Sequence, residues 1–406
     1  MERRVVITGL GIWSCLGTSL DEVRQSLYSG KSGIIFSQAR KDAGFRSALC
    51  ADVPKADLKK YLSRDLRKLM PEEAQYGYLA TIQALEHAKL DQDFLDQNEV
   101  GVIYGNDSVA EATMQALDKF RQAGSTAACG SGAIFQSMNS TVTMNLATLL
   151  HLRGINLTAS AACASGSHSV GLGYLLIKDG LQDCIICGGA QEANMFSVAS
   201  FDGLMAFSTR EDEPTKASRP FDRDRDGLVP GGGAATLVLE SYEHAVKRGA
   251  PLLAEIVGWG FSGNGDHIST PNVAGPTRSL ELCLKNGGIN PRDIGYINAH
   301  ATSTHAGDGR EALAIANIFG DYRVPVTSTK SQTGHEMWMA GASELIYSIL
   351  MMKNDFIGGS LNFENPDEDT ACINVIPETR EAHFDMFLSN SFGFGGTNSS
   401  LIIKNL

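Results

Sequence analysis

Residues 156–180, NLTASAACASGSHSVGLGYLLIKDG, decide how the rest of the sequence is read. The stretch opens as a short strand over 157–161, where apolar and small polar residues alternate. It passes without a turn dipeptide into a helix of Ala, Gly and Ser, and later of Leu and Ile. Cys163 stands at the junction. A thiol at a helix N-terminus faces unpaired N–H groups and the positive end of the helix dipole, so a favoured thiolate is expected there. Ala161, Ala162, Ala164 and Gly166 keep the strand-to-helix elbow narrow enough for other backbone to approach. A single cysteine is ordinarily a buried structural residue. Its neighbours elsewhere in the sequence decide the matter.

Working outward, short apolar runs read as strands at 3–11, 100–104, 184–187 and 234–240, and again at 253–258, 295–299, 324–327, 386–389 and 401–404. Helical periodicity falls between them, including one continuous helix over 135–152. Runs 5–11 and 253–258 both enter a glycine turn, and each opens a βα-rich half. The pattern predicts an α/β protein with an internal duplication, 1–249 carrying the cysteine and 250–406 following it.

Composition narrows the function. A chain of 406 residues is too long for one small core, and 43% hydrophobic with 20% charged residues describes an ordinary globular protein. No apolar run reaches the length of a membrane span, and MERRVVITGLG reads as a strand rather than a signal peptide. The eight cysteines form no disulfide framework. Cys184 and Cys187, in DCIICGG, lack the second pair that a zinc site needs. A cytoplasmic protein is expected. The net charge of −12 argues against nucleic acid as the main partner.

Several motifs fail on spacing, so no metal and no cofactor is predicted. GLGIWS has Ser14 where a dinucleotide fingerprint needs its third glycine. FDRDRDG places Asp222, Asp224, Asp226 and Gly227 like half of a calcium loop, but Gly233 stands at the glutamate position. Arg223 and Arg225 interleave those acids, which predicts a self-paired salt-bridge loop. HEMWM puts Met339 where a zinc protease has its second histidine, and GxSxG is absent. Three other segments each end a predicted strand with a polar cluster, where open α/β sheets place ligands. INAHATST carries His300, Thr302 and Thr304; VTSTKSQTGH carries Lys330 and His335; SNSFGFGGTN carries a glycine loop over 393–396. A papain-like pairing would leave one histidine and Lys330 idle.

Cys163 in SAACASGSH, His300 in NAHATST, Lys330 and His335 in TSTKSQTGH, and the loop NSFGFGGTN resemble the β-ketoacyl-acyl carrier protein synthases of types I and II. The resemblance extends from VVITGLG through KASRPFDRDRDGLVPGGGAATLVLE to the last strand. It implies a thiolase-like fold: two similar halves layered α-β-α-β-α, in a homodimer. Cys163 would be the nucleophile, and His300 and His335 would stabilise the enolate formed when malonyl thioester loses carbon dioxide. Lys330 would stand near His335, with Glu311 and Glu344 orienting it and Thr302, Thr304 and Gly395 supporting the site. The N–H groups of Cys163 and Phe394 would form the oxyanion hole, with Phe394 also the gate. The acyl pocket would involve Ser108, Met138, Phe201 and Phe394. The implied partner is acyl carrier protein, whose phosphopantetheine arm arrives with the substrate, so no cofactor is needed. Arg64, Arg67 and Lys68, with Lys119 and Arg121, would dock it.

The sequence departs from the family pattern at Ala301, at Glu336, Met337 and Trp338, and at Asn106, Asp107 and Ser108. These changes leave the reaction in place and bear on the acyl chain preferred. A degradative thiolase would need a second cysteine, which the GFGG loop lacks. The alternative of another class, a non-catalytic chain-length partner subunit, typically lacks the nucleophile.

Overall fold

The computed structural model describes residues 3–406. Its main sheet comprises β1 (Val5–Trp13), β2 (Val100–Gly105), β3 (Asn156–Ala159), β4 (Cys184–Gln191), β5 (Gly233–Ser241), β6 (Ala254–Gly263), β7 (Tyr296–Asn298), β8 (Pro325–Thr327), β9 (Asn374–Val375), β10 (Met386–Gly393) and β11 (Thr397–Asn405). The order across the sheet is β9-β8-β7-β10-β11-β6-β1-β5-β4-β2-β3. Counted separately, the strands of each half run 3-2-4-5-1, with β9 added at one edge. Directions repeat as well: three parallel strands, then two antiparallel ones. Within the sheet the halves meet where Val5, Val6 and Ile7 of β1 pair with Ile256, Glu255 and Ala254 of β6.

Six helices build the layers: α1 (Glu72–Ala88), α2 (Thr141–Leu149), α3 (Ser165–Lys178), α4 (Ala274–Gly287), α5 (His305–Phe319) and α6 (Ala340–Lys353). Every residue of α6 before Lys353 is buried, as expected of a helix apolar all round. α3 and α6 pack on each other and on strands of both halves. α1 and α2 cover the outer side of the first half, and α4 with α5 that of the second. The result is the α-β-α-β-α stack. α3 and α6 approach closely because the contact residues are small: a Cβ on Gly341 would lie 2.4 Å from the Ser167 nitrogen. No helix among the described residues is long and apolar enough to cross a membrane.

Two expectations change. The helix expected over 135–152 is broken into Ala133–Ser137 and Thr141–Leu149, with Met138 extended between them. Asn139 causes the break by tying to another loop: its Nδ2 donates to the Asp107 carbonyl at 2.7 Å, and its own carbonyl accepts from Asn106 at 3.0 Å. The loop around Asp222 is only partly self-paired. Arg223 meets Asp224 at 3.6 Å, but Asp222 pairs with Arg219 at 2.9 Å and Arg225 reaches out to Asp367 at 2.7 Å. A hairpin of Ile34–Phe36 and Leu49–Ala51 also forms, which the sequence did not signal.

Candidate active site

The ends of β3, β7, β8 and β10 lead into Cys163, His300, the Lys330–His335 segment and Phe394. Cys163, His300, His335 and Phe394 line one cavity of about 300 Å³. Three of these segments contain a non-glycine residue in the left-handed region: Ala162 (φ 46°), Ser303 (φ 71°) and Met337 (φ 47°). Such backbone persists only where its surroundings enforce it. At the elbow the Ser165 hydroxyl does so, accepting from the Ala161 N–H at 2.8 Å and donating to the Ala162 carbonyl at 2.6 Å.

Cys163 is 6% exposed, and α3 begins two residues later at Ser165. Burial pushes its thiol up to about 12; the charge of Lys330 and the N–H of Phe394 pull it down only part of the way. The favoured thiolate expected from the helix end is therefore not found. Desolvation outweighs the helix terminus, and the Cys163 side chain is a neutral thiol at pH 7. Phe394 comes so near because Gly393 has no side chain: a Cβ there would sit 3.1 Å from the Cys163 nitrogen.

The rings of His300 and His335 are edge to face, centroids 5.3 Å apart. Burial, followed by the charge of Lys330, holds both well below the ordinary histidine range, so both are neutral at pH 7. His335 Nδ1 accepts from the Met337 N–H at 3.3 Å, which puts the proton of the neutral ring on Nε2. Among the described residues that Nε2 is buried with no hydrogen-bond partner, and so is His300 Nδ1. The His300 backbone is set by Glu311, which accepts from the N–H groups of His300 (2.9 Å) and Ala301 (2.7 Å).

Lys330 is 1% exposed and stands behind the imidazoles, ion-paired with Glu344. Burial raises the Glu344 carboxyl to about 8 against the pull of Lys330. Glu311 thus orients the His300 turn, and Glu344 is the partner of Lys330. Two contributors were missed by the sequence reading. Asn390 Nδ2 holds Glu311 at 3.0 Å. Glu336, noticed only as a departure, is clamped by the hydroxyls of Ser343 (2.5 Å) and Tyr347 (2.8 Å), and burial lifts it to about 7.

Thr302, Thr304, Glu311 and Phe201 also line the cavity, and the Phe201 ring stacks on Phe394 at 6.0 Å. Gly395 lies outside it; its N–H donates to the Ile268 carbonyl at 2.7 Å, tying the glycine loop to residues 264–272. Ser108 and Met138 do not line the cavity within one chain, and Met138 is exposed. Arg64, Arg67 and Lys68 line a separate groove with Lys55 and Lys59. Lys119 and Arg121 are exposed on the helix Glu111–Ala123.

The sequence profile described as "Beta-ketoacyl synthase, N-terminal domain" matches residues 2–245, and "Beta-ketoacyl synthase, C-terminal domain" matches 253–364. The chain belongs to the β-ketoacyl synthase family. It is 40% identical over 405 residues to the 3-oxoacyl-[acyl-carrier-protein] synthase 1 of Haemophilus influenzae, covering 99% of each chain. It is 38% identical over 407 residues to the enzyme of that name from Escherichia coli, covering 100% of this chain and 99% of the other. Among solved structures, a β-ketoacyl synthase from Burkholderia phymatum superposes with a TM-score of 0.96 at 37% identity, over the whole of both chains. The ishigamide ketosynthase/chain length factor superposes at 0.92 with 30% identity, again over both whole chains. This β-ketoacyl synthase therefore combines the family's thiolase-like frame with a buried acid, Glu336, next in sequence to His335.

Proposed function

We propose that the protein is a 3-oxoacyl-acyl carrier protein synthase that joins an acyl group carried on Cys163 to a malonyl unit on acyl carrier protein. One observation carries the reading: a buried thiol, two neutral imidazoles and the Phe394 loop open on a single cavity. The Cys163 sulfur attacks the acyl thioester, the bond to the carrier's sulfur breaks, and the thiol proton leaves with the carrier as its thiol. The N–H groups of Cys163 and Phe394 receive the oxyanion. Malonyl thioester then enters and loses carbon dioxide, and the electron pair left behind becomes an enolate. Its oxygen accepts from His300 and His335, whose rings remain neutral donors; one such donor is worth about 3 kcal/mol in the transition state. The enolate carbon attacks the acyl–Cys163 carbonyl, a carbon–carbon bond forms, and the Cys163 sulfur is expelled as a thiolate that takes up a proton from solvent to restore the thiol. Lys330, fixed by Glu344, keeps the imidazoles neutral and favours the departing thiolate.

A homodimer of two-part chains, divided near 249/250 and working in the cytoplasm, fits this reading. The groove of Arg64, Arg67 and Lys68 suits an acidic carrier protein, since the net charge of −12 gives no long-range attraction of its own. A non-catalytic partner subunit would have no use for the nucleophile and both donors together. The test is intact-mass analysis after incubation with a panel of acyl-carrier proteins. The expected result is one acyl group per chain, mapped to Cys163. No adduct, or an adduct confined to another cysteine, would contradict the reading.

A further inference from the structure

Behind the nucleophile, the apolar cluster around Cys163 continues into Val198, Phe207, Met337 and Trp338, and none of these four lines the cavity. Phe201 belongs to both regions. It lines the cavity, its ring stacks on Phe207 at 6.3 Å, and it meets the indole of Trp338 at 6.3 Å with a 49° tilt. The space on the inner side of Cys163 is thus filled by packed rings. Trp338 is 6% exposed, and its Nε1 is buried without an acceptor among the described residues. Buried tryptophans usually find a partner for that N–H. This position therefore uses the bulk of the ring rather than a hydrogen bond. The backbone behind the indole cannot withdraw, because Trp338 sits in the tight turn Met337–Met339 with its carbonyl against two glycines. A Cβ on Gly166 or Gly189 would come within 2.9 or 2.6 Å of that oxygen.

We infer that Trp338 is a specificity-determining residue: it forms the back wall of the acyl chamber and confines the acyl group on Cys163 to short or compact chains. The inference rests on the proposed acylation of Cys163. A long saturated chain has to displace an indole wedged against Phe201, whereas a short one ends before reaching it. A misfit of one or two methylenes in an apolar pocket changes rates about tenfold or more.

The experiment compares butanoyl, octanoyl and dodecanoyl carrier-protein thioesters in the parent, Trp338→Ala and Trp338→Phe. Initial rates of Cys163 acylation are read by intact mass, and the dodecanoyl-to-butanoyl ratio is taken within each protein, so a general loss of activity cancels. The parent ratio is expected at about 0.1 or lower, and Trp338→Ala should raise it about tenfold or more. Trp338→Phe, which keeps most of the bulk and removes the N–H, should stay within about threefold of the parent. A parent that takes dodecanoyl as readily as butanoyl overturns the inference, as does an unchanged ratio in Trp338→Ala. A parent acylated by no thioester of any length fails differently, because it overturns the synthase reading itself.

Discussion

The two halves repeat one strand order, yet the corresponding strand ends are furnished in opposite ways. In the first half, β2 and β3 run into 106–108 and Cys163, and the thiol lies among Val198, Phe207 and Leu228. In the second, β7 and β8 run into His300 and the Lys330–His335 segment, with Glu311, Glu336 and Glu344 all buried behind them. One side is apolar and the other holds a packed cluster of titratable groups whose carboxyls burial raises. A duplicated frame fixes where strand ends converge, but the residues placed there divide the work. The apolar side raises the thiol and, in the proposed reaction, would receive the acyl chain. On the other side, burial and then the charge of Lys330 keep two imidazoles neutral, which suits them to donate hydrogen bonds to a developing oxyanion.

If that division is right, the largest effect comes from removing a donor on the titratable side. His335→Ala and His300→Ala should each slow decarboxylation of malonyl-carrier protein about 10²- to 10³-fold. Acylation of Cys163 should fall much less, as read by carbon dioxide release and intact mass in parallel. Equal losses in both half-reactions would erase the distinction between the two sides.

The next effect concerns the apolar side. With the thiol at about 12, the thiolate fraction should rise about tenfold for each unit by which the pH increases toward that value. Alkylation of Cys163 by iodoacetamide, followed by peptide mapping, should therefore climb from pH 6 to 9 without levelling. A plateau inside that range would mean that the helix end governs the thiol after all.

The smallest effect lies away from both strand-end clusters. Reversing charge at Arg67 and Lys68 should raise KM for carrier-bound substrate by about threefold to tenfold at low salt, with a shrinking difference as salt rises. A pantetheine thioester should be used as before. Equal loss with both substrates would place the damage in the fold or site.

Much of this was legible in the sequence, for identifiable reasons. Strands such as β1 and β4 are buried on both faces, so their runs VVIT and CIIC are unambiguous. Polar clusters at strand ends announced His300, Lys330 and His335. The two-residue β9 carries too little pattern to be read. The break at Met138 depends on Asn139 reaching a distant loop, a tertiary contact that no local propensity records. The helix terminus at Cys163 is visible in sequence, whereas its enclosure by residues 35 to 231 positions away along the chain, from Val198 to Phe394, is not. Glu336 drew notice as an odd residue, but its role needed Ser343 and Tyr347, one and two turns along α6.

The central claim is that the second half performs decarboxylation without the thiol. Its most direct test is carbon dioxide release from malonyl-carrier protein by Cys163→Ala, alone and combined with His335→Ala. The account predicts that Cys163→Ala forms no condensation product yet continues to release carbon dioxide, and that adding His335→Ala suppresses the release about 10²-fold or more. A folded Cys163→Ala protein that releases none, or a double variant that releases as much as the single one, would contradict it.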